Sequence, residues 1–242
     1  MRTRPAIVAL VLTAAALVGP ALAGPPAASA RPVVIGNTAQ VVLPKLPAQS
    51  CAQPHGTLVA YGHSYLHSPW IGGAKASYVS LAAGALGMQV VIRAVDHATT
   101  QVTEGLIRQG PTHWVPGTAE LVVIDSGIND IQARVPTAQW TASLRRSLEA
   151  FVGRPVPTIL LVRPLRVARI GHPGSDPKVI AAYAAAQSAV AGQFSAVRIV
   201  DASAGWQTRT DLSTDGVHPT PAGEAHLAEA LVGAARGSSC RP

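Results

Sequence analysis

The chain has 242 residues, 48% of them hydrophobic and 13% charged, with a formal net charge of +7. That length suits a single domain with one sizeable core. Its 19 basic residues are scattered, without a basic run or much aromatic interleaving, which argues against a nucleic-acid partner.

Arg2 and Arg4 precede an apolar run from Ala6 to Val18, too short to span a bilayer comfortably. Two small-x-small sites follow, Ala21-Leu22-Ala23 and Ala28-Ser29-Ala30. Residues 1–30 therefore have the layout of a secretory signal peptide, with an uncleaved anchor as the alternative. The mature protein is expected to be secreted or held in the cell envelope. Loss of Arg2 and Arg4 with the leader lowers the formal charge from +7 to +5. No later segment reaches spanning length without a charge or a Pro/Gly break, so no transmembrane segment is expected in the mature chain. Residues 31–50, with Pro32, Pro44 and Pro47, read as an irregular lead-in to one domain over 51–242. Cys51 and Cys240 flank that domain. In an exported protein an isolated pair is most economically a disulfide, and two free thiols are the alternative.

Five apolar, β-branched runs follow: Thr57–Tyr61, Met88–Val95, Glu120–Asp125, Thr158–Arg163 and Val197–Asp201. They are nearly continuous rather than alternating, as expected for strands buried on both faces. Helical stretches lie between them, at Ala74–Leu86, Thr103–Gln109, Thr137–Val152, Pro177–Gln193 and Pro221–Arg236. In the last, Thr220 serves as N-cap, Pro221 takes the first helical position and Gly237 closes the helix. This alternation predicts an α/β fold: a three-layer α/β/α sandwich around a doubly wound, mainly parallel five-stranded sheet. In such sheets ligands collect beyond the carboxyl ends of the strands.

Three short segments fall at those ends: Gly62-His63-Ser64-Tyr65, Gly127-Ile128-Asn129-Asp130 and Asp215-Gly216-Val217-His218-Pro219. Ser64, read alone, is a turn or N-cap serine; read with the others, it is a nucleophile projected from the sheet edge. The text around it is not the Gly-x-Ser-x-Gly elbow, since Leu66 stands at the second glycine position. Asp215 and His218, three residues apart on one tight turn, can share a hydrogen bond that leaves the other imidazole nitrogen for a serine proton, with Asp211 as a competing acid. Asn129, just past a strand, can aim its amide at a developing oxyanion or cap the next helix. Asp130 reads as a local structural partner.

This ordered set resembles the SGNH (GDSL-type) hydrolase superfamily. Gly62-His63-Ser64 is similar to the first family block, Gly127 to Asp130 match the third in full, and Asp215 to His218 match the last. The resemblance implies a Ser64–His218–Asp215 triad. It also implies an oxyanion hole built from the Ser64 N–H, a second-block glycine N–H and the Asn129 side chain, and it implies no cofactor. Two positions depart from the pattern. His63 replaces the usual aspartate, and the best second-block match, Ala94 to Thr100, puts His97 where the glycine would sit. His97 would then donate the backbone N–H in its place.

The expected function is a secreted serine ester hydrolase acting on an ester-bearing small molecule, lipid or polysaccharide. The alternatives are an exported acyltransferase using the same triad, and a silent binding module on the same scaffold. Trp70 and Trp206 lie near the site in sequence and suit stacking on a sugar or acyl chain. Arg163, Arg166 and Arg169 flank a Pro/Gly-rich loop that is either merely solvated or meets an anionic or sugar-rich substrate, with Arg166 as the candidate contact. His63, His67, His97 and His172 lack zinc-ligand spacing, so no metal site is expected.

Overall fold

The computed structural model describes residues 33–35, 56–109, 119–154 and 158–237. The expected leader and the Cys51–Cys240 pairing lie outside them.

Residue pattern and strand position agree closely. β2 (Thr57–Gly62), β4 (Ala119–Asp125) and β5 (Thr158–Val162) lie at the centre of the sheet, flanked by β3 (Gln89–Ala94) and β6 (Val197–Val200). All five run parallel. The sheet has a sixth strand. β1 (Val33–Ile35), within the stretch expected to be irregular, pairs antiparallel with β3 at one edge. The full order is β1-β3-β2-β4-β5-β6.

Successive residues on a strand face opposite sides, and each side has its own core. Leu58, Ala60, Leu121, Val123, Leu160 and Val162 pack on one side with residues of α2 (Tyr78–Leu86) and α7 (Pro221–Arg236). Val59, Tyr61, Val122, Ile124, Ile159 and Leu161 pack on the other with α3 (Thr100–Arg108), α5 (Thr137–Glu149) and α6 (Pro177–Ala191). This two-sided burial is why the strands read as unbroken apolar runs. The result is the expected three-layer, doubly wound α/β sandwich.

Two further helices are too short for sequence periodicity to reveal: α1 (Ser64–His67) and α4 (Ile128–Gln132). Each begins just past a strand, β2 and β4. Those strands are neighbours, and the chain passes from β2 outward to β3 before returning to β4 on the other side. Loops leaving a sheet at such a reversal diverge and open a crevice between them. Among the described residues, no helix is long and apolar enough to cross a membrane.

Candidate active site

Gly62 ends β2 close against β4. A Cβ at this position would stand 2.7 Å from the Asp125 carbonyl oxygen and 2.9 Å from Leu66 Cδ1. The chain then turns into α1, with His63 as its N-cap; His63 Nδ1 accepts the Tyr65 N–H at 3.5 Å. Ser64 is thus the first residue of α1, a position whose N–H has no partner within the helix.

The second half of the site precedes α7. Ser213 N–H donates to the His218 carbonyl at 2.7 Å, closing a turn over residues 213–218. Gly216 takes φ +70° at its tip, and a Cβ there would stand 2.8 Å from the Arg169 backbone nitrogen. Only glycine meets both demands without strain. Thr220 caps α7 as expected, accepting the Gly223 N–H at 3.2 Å, whereas Gly237 closes the helix with ordinary right-handed angles.

The fold brings these halves together across 154 residues of sequence: Ser64 Oγ lies 3.1 Å from His218 Nε2. On the far side of the ring, His218 Nδ1 lies 2.5 Å from Asp215 Oδ2. An ionised carboxylate only accepts, so Nδ1 carries the proton and the Nε2 lone pair faces the Ser64 hydroxyl. Asp215 Oδ1 also accepts from the Ser213 hydroxyl at 2.7 Å and from the Val217 and His218 N–H groups at 2.8 and 2.9 Å. Partial burial alone would raise its pKa, but these hydrogen bonds, led by that of His218, hold the carboxyl well below the usual aspartate range. Asp211, the competing acid, is occupied elsewhere. Its Oδ2 accepts the Gln207 N–H at 2.8 Å and lies 3.4 Å from His226 Nδ1.

Asn129 sits within α4. Its Nδ2 donates to the Ala98 carbonyl at 3.0 Å, leaving the second amide hydrogen for another acceptor. Next to it, Asp130 accepts the Thr100 N–H at 2.9 Å and the Thr100 hydroxyl at 2.9 Å, capping the start of α3. One short helix therefore holds both ends of residues 98–100. Gly127, at its N-cap, takes φ +114°, and a Cβ would come within 2.6 Å of Pro164 Cγ. His97 is exposed and takes φ +59°, the left-handed path that a glycine follows freely. For a residue with a Cβ this path costs about 1 kcal/mol.

Trp70 closes one side: its ring centroid lies 4.1 Å from that of His218, and its Nε1–H donates to the Pro219 carbonyl at 2.8 Å. Arg166 is not at this position. Its carbonyl accepts the Trp206 Nε1–H at 3.0 Å, beyond β5, and both residues line a neighbouring cavity. Of the other histidines, His67 Nδ1 lies 3.2 Å from Asp96 Oδ1, while His172 accepts the Gly174 N–H at 2.9 Å. Burial lowers the His172 pKa, with Arg169 adding to the effect.

A buried polar cluster behind Ser64 escaped sequence reasoning. His63 Nε2 lies 3.2 Å from Asp125 Oδ1, though not aligned for a hydrogen bond. A carboxylate of β4 thus stands beside residue 63. Asp125 Oδ2 accepts from Tyr78 Oη at 2.9 Å, and the Tyr78 N–H donates to Glu224 Oε2 at 2.7 Å. Ser68 Oγ stands 2.6 Å from both the Tyr65 carbonyl and Glu224 Oε1. A hydroxyl has one hydrogen, and a carbonyl can only accept. Ser68 therefore shares that hydrogen between the Tyr65 carbonyl and Glu224 Oε1. Burial, with Asp125 nearby, pushes the Glu224 pKa up to about 8 despite the hydrogen bonds it makes. In the sequence Glu224 looks like an ordinary first-turn acid.

The sign of the resulting pH dependence is fixed. Unfolded, Glu224 ionises near 4.5; folded, it keeps its proton to about 8. Its stabilising contribution is full below the unfolded pKa and is lost as pH rises through the folded one, by up to ~1.4 kcal/mol per pH unit. Glu224→Gln mimics the protonated form. Its urea midpoint should gain on wild type steadily from pH 5 to 8; a difference independent of pH would refute a protonated Glu224.

Residues 60–226 match the GDSL-like lipase/acylhydrolase family. The chain belongs to that family. No curated protein sequence matches the hydrolase. Among solved structures, it is similar to a member of the lipolytic G-D-S-L family from Veillonella parvula, with a TM-score of 0.62 at 12% identity, covering 74% of this chain and 97% of that one. It is also similar to a variant of an acetyl xylan esterase from Geobacillus stearothermophilus, with a TM-score of 0.60 at 20% identity, covering 74% and 94%. A third is an alpha/beta hydrolase from the metagenome of Lake Arreo, at 0.60 and 17%, covering 77% and 97%. At these identities the likeness establishes the acylhydrolase's fold.

Proposed function

We propose that the protein is an exported serine hydrolase of carboxylic esters, working through an acyl-enzyme on Ser64. The observation that carries this reading is the aligned series Asp215–His218–Ser64, with separations of 2.5 and 3.1 Å. His218 Nε2 takes the Ser64 proton as Oγ attacks the ester carbonyl, and Asp215 holds the imidazole in the required tautomer. The Ser64 N–H, the His97 N–H and the free amide hydrogen of Asn129 stabilise the oxyanion. The imidazolium then protonates the departing alcohol. Water, deprotonated by His218, releases the acid and regenerates Ser64. Trp70, against His218, provides an aromatic wall for the acyl group or for a sugar ring of the alcohol. Similarity to an acetyl xylan esterase favours short acyl groups on a carbohydrate.

A fluorophosphonate probe should label wild type in one-to-one stoichiometry, with the adduct on the peptide carrying Ser64. His218→Ala should slow labelling by about 10²-fold or more, because the general base is gone. Labelling elsewhere, or an unmodified Ser64, would rule out this nucleophile. Turnover of acetylated xylan without and with an added sugar alcohol separates hydrolysis from transfer. Free acetate as the main product in both supports the hydrolase.

A further inference from the structure

A second cavity, of about 530 Å³, lies beyond the carboxyl ends of β5 and β6 against α6. Every ionisable residue lining it is an arginine: Arg163, Arg166 and Arg209. Arg163 is engaged, donating to Asp201 Oδ2 at 2.8 Å and to Ser188 Oγ at 2.9 Å. Arg166 and Arg209 are exposed, and no carboxylate pairs with either among the described residues. The remaining carboxylate side chain, that of Glu120, belongs to the amino end of β4, at the opposite end of the sheet from the cavity. The cavity therefore holds unneutralised positive charge on planar groups suited to paired anion oxygens.

Its other feature is Trp206. The indole lines the cavity, and its N–H is fixed to the Arg166 carbonyl. The same side chain packs against Ile128, Val167, Leu212 and Val217. One aromatic ring thus joins the cavity to the turn that carries His218. Gln207 and Thr208 add side-chain hydrogen-bonding groups to the wall. A held aromatic face beside hydroxyl and amide groups suits a sugar ring, and two unpaired guanidinium groups suit a negative substituent on it.

We infer that this cavity is a binding site for a saccharide ring carrying an anionic substituent, either a carboxylate or a phosphate. The site is built by residues outside the Ser64–His218–Asp215 series, and binding there needs no turnover. The inference therefore stands or falls separately from the ester-cleaving reading.

The test is calorimetric titration of the intact protein with glucuronate, glucose 6-phosphate, glucose and inorganic phosphate, with tryptophan emission followed in parallel. At least one anionic sugar should bind about tenfold or more tightly than glucose, and more weakly as salt is raised. Which of the two prevails identifies the substituent. Replacing both exposed arginines, Arg166→Ala with Arg209→Ala, should cut that affinity at least about tenfold while leaving far-UV circular dichroism unchanged. The inference is overturned if glucose binds as tightly as the anionic sugars, if none of the sugars binds, or if the double variant binds them undiminished. Inorganic phosphate binding as tightly as glucose 6-phosphate would reduce the site to a plain anion site and overturn the saccharide assignment.

Discussion

Ser64→Ala should reduce kcat for a short p-nitrophenyl ester by about 10⁴- to 10⁶-fold, with KM little changed. The methyl group cannot attack the carbonyl, and the His218 lone pair, 3.1 Å from Oγ in the wild type, loses the proton it takes. Binding and oxyanion donors remain, so a residual rate above the uncatalysed reaction should survive. Because the two side chains act as one unit, Ser64→Ala combined with His218→Ala should be hardly worse than either alone. Loss of only about tenfold, or additive losses in the double variant, would assign the nucleophile elsewhere.

The largest stability effect is expected at Gly223→Ala. A Cβ on this helical residue would stand 2.1 Å from the Asp211 carbonyl oxygen and 3.0 Å from its carbon. The obstacle is backbone, so no rotamer change relieves it. The same carbonyl accepts the Thr220 N–H at 2.9 Å, which holds the start of α7 against residue 211. Leu212 bridges to Pro219 in the same place, tying the turn of Asp215 and His218 to that helix. The added methyl should cost about 3 kcal/mol or more in urea unfolding. It should also lower kcat, since a shift of α7 moves His218 away from Ser64. Gly233→Ala is the control in the same helix: its Cβ would meet nothing within 4 Å. It should be neutral or stabilising by about 0.5–1 kcal/mol. Equal loss in both variants would show that backbone crowding is not the cause.

Much of this architecture was written in local patterns. The central strands are uninterrupted apolar runs because both their faces are covered. α7 announces itself through Thr220 and Pro221, a cap and a first-position proline that act within one turn. The three segments around Ser64, Asn129 and His218 are recognisable because a nucleophile, an amide donor and an Asp-x-x-His turn each need particular residues at fixed spacing. Their positions beyond strand ends follow from the same strand pattern.

Other features depend on contacts the linear text does not encode. α1 and α4, with four and five residues, are shorter than the period needed to detect a helix. β1 is held by backbone pairing to β3, which many sequences can satisfy. The left-handed path of His97 and the proton on Glu224 arise from packing imposed by distant elements. So does the concentration of Arg166, Arg209 and Trp206 around one cavity. Short-range preferences thus determined the elements and the identity of the reacting groups. Chain folding decided where Asp211 is occupied instead, at the Gln207 N–H, and that a buried acid keeps its proton behind Ser64. Hydrogen-bond geometry and desolvation are properties of neighbours in space, and those neighbours are up to 156 residues apart in the chain.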